Sequence, residues 1–299
     1  MAILEEIQGA IGAVADGVGP SIVGIGRRQR GSGFVVGDGR VVTNAHNVRG
    51  DSVTVTFADG RQAIGEVAGL DVDGDLAVIR VDTSGAAAPS WGDGASLALG
   101  APVFGVGATP GGGARVTFGT VSAVARAFRG PGGRKIAGSI EHTAPLASGS
   151  SGGPLVGADG KVLGINTNRI GEGFYLALPV DGALRDRIDA LGRGESVRRP
   201  RLGIAVAPGY VARRLRRSVG LPERDGLLVR GVEGGGPAAR AGIEEGDLIV
   251  AAGGREVNDP DALLDAIGAA TPPFEVRIVR GTEERTVSVG GEASATGEA

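Results

Sequence analysis

Short apolar runs separated by tight, glycine-containing turns constrain the fold of this chain more than any other feature. The run Val41-Val42-Thr43, for example, follows the turn Gly37-Asp38-Gly39, and similar alternation continues through the first 180 or so residues. Short β-branched and aliphatic runs bounded by Gly, Asp and Asn are typical of strands joined by tight turns. The 57 glycines and the 3% aromatic content suit a turn-rich β protein better than a helical bundle.

The predicted strands fall into two sets of six, and we expect each set to close into a barrel. The strands are 21–26, 33–36, 41–43, 52–57, 63–68 and 76–81 in the first set, and 102–107, 115–124, 139–143, 153–156, 162–166 and 174–179 in the second. The barrels then cover about residues 20–85 and 96–180. Apolar residues at helical spacing predict a short helix within residues 1–19 and a closing helix at 181–191.

A serine lies between turning glycines in the segment Gly149-Ser150-Ser151-Gly152-Gly153-Pro154-Leu155. Such a turn places a hydroxyl next to backbone N–H groups that can hold a developing oxyanion. Ser151 is the candidate nucleophile because it, unlike Ser150, is followed directly by Gly-Gly. A serine in a glycine-rich turn is more often only a turn residue, so the hypothesis depends on a base and an orienting carboxylate.

The chain has two histidines from which a base can come. His46 falls where an apolar run ends in a turn of small residues. His142 lies nine residues before Ser151, and we interpret it as a structural or substrate-side residue. We therefore expect His46 to be the base.

Three acids compete for the role of orienting the base. Asp71 and Asp73 lie in a turn, where a solvated loop is the simpler interpretation. Asp75 directly precedes the apolar run Leu76-Ala77-Val78-Ile79, and we favour it for that reason. The chain order His46, Asp75, Ser151 is that of the chymotrypsin architecture and differs from the orders of subtilisin and the α/β-hydrolases.

Five short segments in this order carry a resemblance to a known family. They are Thr43-Asn44-Ala45-His46, Asp75-Leu76-Ala77-Val78, Val116-Thr117-Phe118-Gly119-Thr120-Val121-Ser122-Ala123, the segment from Gly149 to Leu155, and Gly164-Ile165-Asn166-Thr167. Together they resemble the HtrA family of trypsin-like serine proteases. The resemblance covers about residues 20–180, and about residues 200–290 resemble the family's C-terminal PDZ domain.

The resemblance implies a mainly β chain with a chymotrypsin-like double six-stranded barrel, followed by a PDZ-like α+β domain. The expected domain boundaries are 1–192 for the protease domain, 193–200 for a linker, 201–290 for the PDZ domain and 291–299 for a flexible tail. The family also implies a role in protein quality control under stress, and a homotrimer is the expected assembly.

The implied activity is that of a serine endopeptidase acting on unfolded or misfolded polypeptides without a cofactor. Ser151 attacks, His46 transfers the proton, Asp75 orients the imidazole, and the backbone N–H groups of Gly149 and Ser151 form the oxyanion hole. The alternative is a peptide-binding, chaperone-like protein whose protease domain is inactive at rest.

Substrate preference is expected to follow from the residues of the cleft, which are Pro145, Ile165, Asn166 and Thr167. Proteases of this architecture that cut after Lys or Arg have an aspartate at the position of Pro145. A basic side chain would be buried there without a partner. We therefore expect cleavage after small or medium aliphatic residues.

The C-terminal domain is expected to bind peptide C-termini and to regulate the protease. Its groove residues are predicted to come from a loop and from a helix at 261–269 that is capped by Asp259. They are Arg201, Leu202, Gly203 and Ile204 in the loop and Leu263, Leu264 and Ile267 in the helix. A bound peptide would add as a strand, with its carboxylate on the N–H groups of the loop.

Composition excludes several other classes of function. The formal net charge of −3 gives no general bias toward nucleic acid. The absence of cysteine excludes disulfides, thiolate catalysis and cysteine-based zinc sites, and with two histidines we expect no metal. No apolar stretch approaches the ~18 residues of a membrane span. The acidic start predicts a cytoplasmic location for the chain as it stands, or a periplasmic or extracellular one if an export segment was removed.

The sequence also departs from the family at positions near the candidate site. Asn47 replaces a usual Val, Ser150 a usual Asn, and Thr143 a common Asp. The turn at residues 27–30 is much shorter than in family members that form large cages. The basic cluster Arg213-Arg214-Leu215-Arg216-Arg217 is interpreted as the solvated face of a short helix.

Overall fold

The structure is a computed structural model that describes residues 2–129, 135–169, 171–195 and 202–290. The chain divides into two compact units, Met1–Arg198 and Arg199–Ala299. Arg201, which the sequence places in the peptide groove, and the predicted tail at 291–299 lie outside the described residues. Within the described part of the chain, no helix is both long and apolar enough to span a membrane.

The first unit contains two closed antiparallel barrels of six strands each, as predicted. The first barrel has the order β1-β2-β3-β6-β5-β4 and the second β10-β11-β12-β9-β8-β7. The first six strands are β1 Ile22–Ile25, β2 Gly31–Gly37, β3 Arg40–Thr43, β4 Ser52–Phe57, β5 Gln62–Asp71 and β6 Leu76–Arg80. The other six are β7 Pro102–Ala108, β8 Ala114–Arg129, β9 Lys135–His142, β10 Pro154–Gly157, β11 Val162–Arg169 and β12 Tyr175–Pro179.

Two helices flank the barrels and share one apolar core with them. Helix α1 spans Ala2–Val18 and α2 spans Gly182–Gly192. Val18 of α1 and Leu191 of α2 lie in the same buried cluster as Val42 of the first barrel and Val106 of the second. Because this core is continuous, it fixes the two barrels against each other, and the loops at their facing ends meet in a defined geometry.

Helix α2 begins one residue later than predicted because Asp181 acts as its N-cap. The Asp181 side chain accepts a hydrogen bond from the N–H of Leu184 at 2.7 Å, and such caps stabilise a helix by about 1 kcal/mol. Leu184, Ile188 and Leu191 are buried on one face of the helix, which is the amphipathic pattern that the sequence indicated.

The second unit is built on a sheet of order β13-β14-β15-β17-β18, with β16 paired to β15. The strands are β13 Ile204–Ala207, β14 Leu227–Val232, β15 Leu248–Ala252, β16 Arg255–Glu256, β17 Phe274–Arg280 and β18 Glu283–Val289, and the helices are α3 Gly209–Ser218, α4 Pro237–Arg240 and α5 Pro260–Ala269. Asp259 caps α5 by accepting from the N–H of Ala262 at 2.8 Å. Strand β13 lies at the edge of this sheet.

The basic cluster on α3 is only partly a solvated face. Arg216 is 4% exposed, and its guanidinium donates to the carbonyls of Pro222 at 3.0 Å and Gly281 at 3.1 Å. Burial lowers the pKa of this group. Arg216 therefore ties the helix to two loops of its own unit, whereas Arg214 and Arg217 are exposed.

Candidate active site

The register of the first barrel brings His46 and Asp75 together. Thr43, the last residue of β3, pairs with Ala77 near the start of β6. A 3₁₀ turn at Ala45–Asn47 carries His46 away from the end of β3, and Asp75 immediately precedes β6. The two side chains therefore leave neighbouring strand ends at the same edge of the barrel.

Asp75 and His46 form a closely hydrogen-bonded pair. His46 Nδ1 lies 2.9 Å from each Asp75 carboxylate oxygen, and the His46 backbone N–H donates to Oδ1 at 3.2 Å. The Thr167 hydroxyl donates to Oδ2 at 2.6 Å. The carboxylate side chain is 2% exposed. With its Nδ1–H directed at the carboxylate, the imidazole keeps Nε2 as an acceptor for a nucleophile's proton.

Asp75 has a backbone conformation that is unusual for a residue other than glycine, with φ of 53°. The Asn44 side-chain amide donates to the Asp75 carbonyl at 3.0 Å and helps to hold this conformation. Strained backbone of this kind concentrates at functional sites, where the surrounding structure maintains it.

Asp71, a competing acid, has a structural task in the same turn. It is 3% exposed, and its Oδ1 accepts from the N–H groups of Asp73 at 3.0 Å and Gly74 at 2.9 Å. Arg187 of α2 lies 3.3 Å from its other oxygen. Of the three acids, Asp75 is the one that contacts His46.

Ser151 lies in the turn between β9 and β10, where Gly149 has a φ of 86° and Gly152 a φ of 91°. A Cβ at Gly152 would come within 2.1 Å of the Ser32 carbonyl oxygen, so this position requires glycine. The Ser151 hydroxyl donates to the Thr167 carbonyl at 2.9 Å. Within the described residues no hydrogen bond joins it to His46. The hydroxyl and the imidazole thus belong to one site but are not yet engaged with each other.

The turn around Ser151 leaves two backbone donors available. Among the described residues, neither the N–H of Gly149 nor that of Ser151 donates to any acceptor. The adjacent N–H of Ser150 donates to the Ala147 carbonyl and that of Gly152 to the Asn166 carbonyl. An oxyanion hole requires unpaired backbone donors of this kind next to a nucleophile.

The first barrel holds the nucleophile's peptide in place. The Ser151 carbonyl accepts from the N–H of Ser32 at 2.8 Å and from the side-chain amide of Asn47 at 2.9 Å. The Ser32 hydroxyl donates to the Gly149 carbonyl at 2.7 Å. Sequence reasoning missed Ser32, and no local motif marks it, since its partners in the serine turn, Gly149 and Ser151, lie more than a hundred residues away. Asn47 was marked only as a departure from the family.

His142 is fully buried in the second barrel. Its Nε2 lies 3.0 Å from Asn166 Oδ1, and its ring stacks on Tyr175 with centroids 5.8 Å apart. Burial lowers the pKa of His142 to about 4, against a smaller opposing effect of the hydrogen bond to Asn166. A neutral histidine enclosed in this way has no access to a substrate, and it lies apart from Asp75.

The predicted cleft residues have different surroundings. Pro145 is exposed, whereas Ile165 and Asn166 are 0% exposed and Thr167 is 5% exposed. Asn166 braces the nucleophile's turn, because its side-chain amide donates to the Pro154 carbonyl at 2.9 Å. Of the four predicted cleft residues, Pro145 is the one that is exposed.

The predicted groove of the second unit is also largely internal. Leu202, Leu263 and Ile267 lie in the core of that unit, while Ile204 and Leu264 are half-buried. Gly203 has a φ of 71°, and in the described part of the chain the N–H groups of Leu202 and Gly203 have no acceptor. Both residues directly precede the edge strand β13.

No group of three His, Cys, Asp or Glu side chains in the described residues is arranged to hold a metal ion.

Comparisons with known proteins agree on both units. The family described as trypsin-like peptidase domain matches residues 31–165, and the family described as PDZ domain matches residues 200–290. A protein of Halomonas elongata named "Probable periplasmic serine endoprotease DegP-like" is 36% identical over 273 residues, which are 88% of this chain and 56% of that protein. A protein of Synechocystis named "Putative serine protease HhoA" is 35% identical over 277 residues, covering 87% of this chain and 70% of that protein.

Among solved structures, the HtrA-type protease AlgW with a decapeptide superposes with a TM-score of 0.63 at 25% identity, covering 94% of this chain and 97% of that one. The chain spans about half the length of several of the named relatives. Their names also correct one expectation. The predicted cytoplasmic location is wrong, because relatives from Halomonas, Brucella and Rhizobium are all named periplasmic. The acidic N-terminal residues were misleading on this point.

Proposed function

The chain belongs to the HtrA family of trypsin-like serine proteases with a PDZ domain, and from this premise we propose that it is a serine endopeptidase acting on unfolded polypeptides. The observation that carries the proposal is the His46–Asp75 pair beside a serine turn that has two unpaired N–H groups. We place its work in the periplasm, in agreement with the names of its relatives.

The proposed reaction is acyl transfer to Ser151. The Ser151 hydroxyl leaves the Thr167 carbonyl and transfers its proton to His46 Nε2 as its oxygen attacks a peptide carbonyl. The carbonyl oxygen takes up negative charge and accepts from the N–H groups of Gly149 and Ser151. His46 then gives the proton to the leaving amine, while Asp75 stabilises the imidazolium. Water, activated by His46, hydrolyses the acyl-enzyme and regenerates Ser151.

Replacing the two adjacent serines separately tests the nucleophile. Ser151→Ala should abolish degradation of casein, whereas Ser150→Ala should retain much of it, because Ser150 is buried beside Gly107 and has no place in the proposed reaction. A fluorophosphonate probe followed by peptide mapping should label Ser151. Labelling at Ser150, or undiminished proteolysis by Ser151→Ala, would contradict the proposal.

Substrate preference is proposed to be for small or medium aliphatic residues before the scissile bond. The exposed Pro145 stands where a protease specific for Lys or Arg has a carboxylate, so that no charge is available to a basic side chain. Mass spectrometric mapping of casein cleavage sites should show mainly Ala, Val and Leu at this position. A majority of Lys and Arg would refute this preference.

The second unit is proposed to bind peptide C-termini along β13 and to regulate the protease. The unpaired N–H groups of Leu202 and Gly203 support this role, because a terminal carboxylate needs such donors and an edge strand accepts one more strand. Calorimetry with apolar-ended peptides should show binding of the free-acid forms and loss of binding on amidation. Equal behaviour of the two forms would exclude a carboxylate site.

Removal of residues 200–299 separates regulation from simple recruitment of substrate. If the second unit regulates the catalytic centre, its loss changes hydrolysis of a short chromogenic peptide. If it only recruits, degradation of long polypeptides changes and hydrolysis of the short peptide does not.

One observation favours a second candidate, a peptide-binding, chaperone-like protein that is proteolytically inactive at rest. The Ser151 hydroxyl donates to the Thr167 carbonyl and is not engaged with His46. Suppression of aggregation by Ser151→Ala, together with no labelling of the parent chain by fluorophosphonate until peptide is added, would favour this candidate. Immediate labelling of the free chain would favour a constitutive protease.

A further inference from the structure

The first barrel carries a strongly basic cleft outside the residues that perform the proposed reaction. This arginine cleft, of about 560 Å³, takes Arg27, Arg28 and Arg30 from the turn between β1 and β2, and Arg49 from the loop after the 3₁₀ turn. Asn47 and Ile64 also line it. The four arginines are exposed, and Ile64 adds an apolar wall that is 66% exposed.

The charge of the arginine cleft is uncompensated. None of its four guanidinium groups forms an ion pair within the described residues, and no acidic side chain lines the cleft. Several other arginines of the described chain are ion-paired, as in Arg187 with Asp71 and Arg280 with Asp247. Guanidinium groups bind carboxylates through paired hydrogen bonds, so four of them around one opening favour an acidic ligand.

The cleft adjoins the nucleophile through two contacts. Asn47, which forms part of its wall, directly follows His46 and donates to the Ser151 carbonyl at 2.9 Å. Gln29 belongs to the same turn as the three arginines, and its carbonyl oxygen would lie 3.1 Å from a Cβ at Gly149. Because Asn47 lines the cleft and directly follows His46, the cleft neighbours the turn that carries His46.

The chemistry indicates which part of a substrate lies nearest to this turn. His46 delivers its proton to the leaving amine, so the residues after the scissile bond depart on the side of His46. The acyl portion stays with Ser151 and the N–H groups of its turn. We propose that the arginine cleft binds acidic side chains in the substrate segment that follows the scissile bond. This inference rests on the proposed endopeptidase function and adds a preference to it.

Quenched fluorescent peptides test the preference directly. The peptides are identical up to the scissile bond and differ in the three residues after it. These residues are Asp and Glu in the acidic peptides, Ser and Gly in the neutral ones, and Lys in the basic ones. We expect kcat/KM for the acidic peptides to exceed that for the neutral ones by about tenfold at low ionic strength, as a few exposed charge pairs together provide. The ratio should fall toward one at 1 M salt, where the screening length is about 3 Å.

The triple variant Arg27→Ser, Arg28→Ser, Arg49→Ser should lower the acidic-to-neutral ratio to about one. The matched control is Arg115→Ser, an exposed arginine of the second barrel that lies outside the cleft, and it should keep the parent ratio. The emission of Trp91 reports whether each variant is folded. If the triple variant fails to fold, the acidic-to-neutral ratio of the parent chain and its dependence on salt still test the inference. Equal cleavage of acidic and neutral peptides by the parent chain overturns the inference.

Binding to the Ser151→Ala chain distinguishes failure of this inference from failure of the proposed function. If the parent chain cuts none of the peptides, the endopeptidase proposal fails, and anisotropy of labelled acidic and neutral peptides on Ser151→Ala still decides whether the cleft is acid-selective. A labelled single-stranded oligonucleotide is the competing ligand. Arginine-dependent binding of the oligonucleotide, combined with no preference among the peptides, would overturn the inference in favour of a nucleic-acid site.

Discussion

The two barrels each carry one histidine, and the surroundings of the two histidines are opposite. His46 stands on a turn at the end of β3, with a side chain 30% exposed and Nδ1 held by the carboxylate of Asp75. His142 lies within β9, is 0% exposed and meets only the neutral amide of Asn166 through Nε2. The same residue type therefore has a carboxylate partner and exposure to solvent in one barrel, and neither in the other.

The difference shows that the barrels contribute unlike things to the site. The first barrel contributes the Asp75 carboxylate and the His46 imidazole, while the second contributes a packed support for the serine turn. Strand β11 links the two halves. Its Asn166 braces the turn through Gly152 and Pro154, and its Thr167 donates to the buried carboxylate of the other barrel.

The largest expected effect comes from removing the charge of the Asp75 carboxylate in the first barrel. Asp75→Asn keeps the shape of the site but removes the anion that fixes the imidazole tautomer, and kcat should fall by about 10⁴-fold. The matched control is Asp71→Asn in the same turn, which leaves the His46 contact intact. Asp71→Asn should lower the urea midpoint of unfolding, and it should lower kcat far less than Asp75→Asn does. Similar kcat values for the two variants would contradict the assignment of Asp75 over Asp71.

A smaller effect is expected from removing the hydrogen bond that Thr167 of the second barrel donates to Asp75 of the first. Thr167→Val removes a hydroxyl that donates to Asp75 at 2.6 Å, while keeping the carbonyl that accepts from Ser151. Hydrogen bonds to charged groups contribute about 1.5–3 kcal/mol, so kcat should drop by about 10- to 100-fold. KM for a short peptide should change little, because the lost bond does not involve substrate.

Thr167→Ser is the matched control, since it retains the donor. It should recover most of the activity. If Thr167→Ser is as impaired as Thr167→Val, the methyl group and its packing matter rather than the hydroxyl, and the two halves are not linked in the way described.

The features that were predictable from the sequence are those with local signals. Short apolar runs and glycine turns predicted both barrels, and residues flanking strand ends predicted His46 and Asp75. What local pattern could not provide is the set of contacts between distant segments. Ser32 meets Ser151 across 119 positions, and nothing near Ser32 in the sequence indicates that pairing.

The burial of individual residues was also not predictable from the sequence, because residue type alone does not distinguish a groove residue from a core residue. Leu263 and Ile267 were predicted as groove residues from their helical spacing, and the same spacing equally suits the core in which they lie. Asn166 was predicted to line the substrate cleft because its segment resembles the one that lines the cleft in the family. It is fully buried instead, and its side-chain amide donates to the Pro154 carbonyl while its Oδ1 meets His142 Nε2, so both of its polar atoms have partners.

The burial of His142 in the second barrel can be tested through the pH dependence of stability. In the unfolded chain His142 takes up a proton near its ordinary pKa of 6.5, whereas in the folded unit burial lowers its pKa to about 4. Between these values the unfolded state binds more protons, so the free energy of unfolding falls as the pH drops from about 6.5 toward 4.

The variant His142→Gln keeps a donor for Asn166 but cannot ionise. Between pH 7 and pH 5 the parent chain should therefore lose about 2 kcal/mol more stability than the variant. Urea titrations followed by Trp91, the one tryptophan of the chain, which meets Phe34 edge-on at 5.7 Å in the first unit, measure this difference. Equal losses in the two chains would mean that His142 is open to solvent, and that the second barrel is not the dry support that distinguishes it from the first.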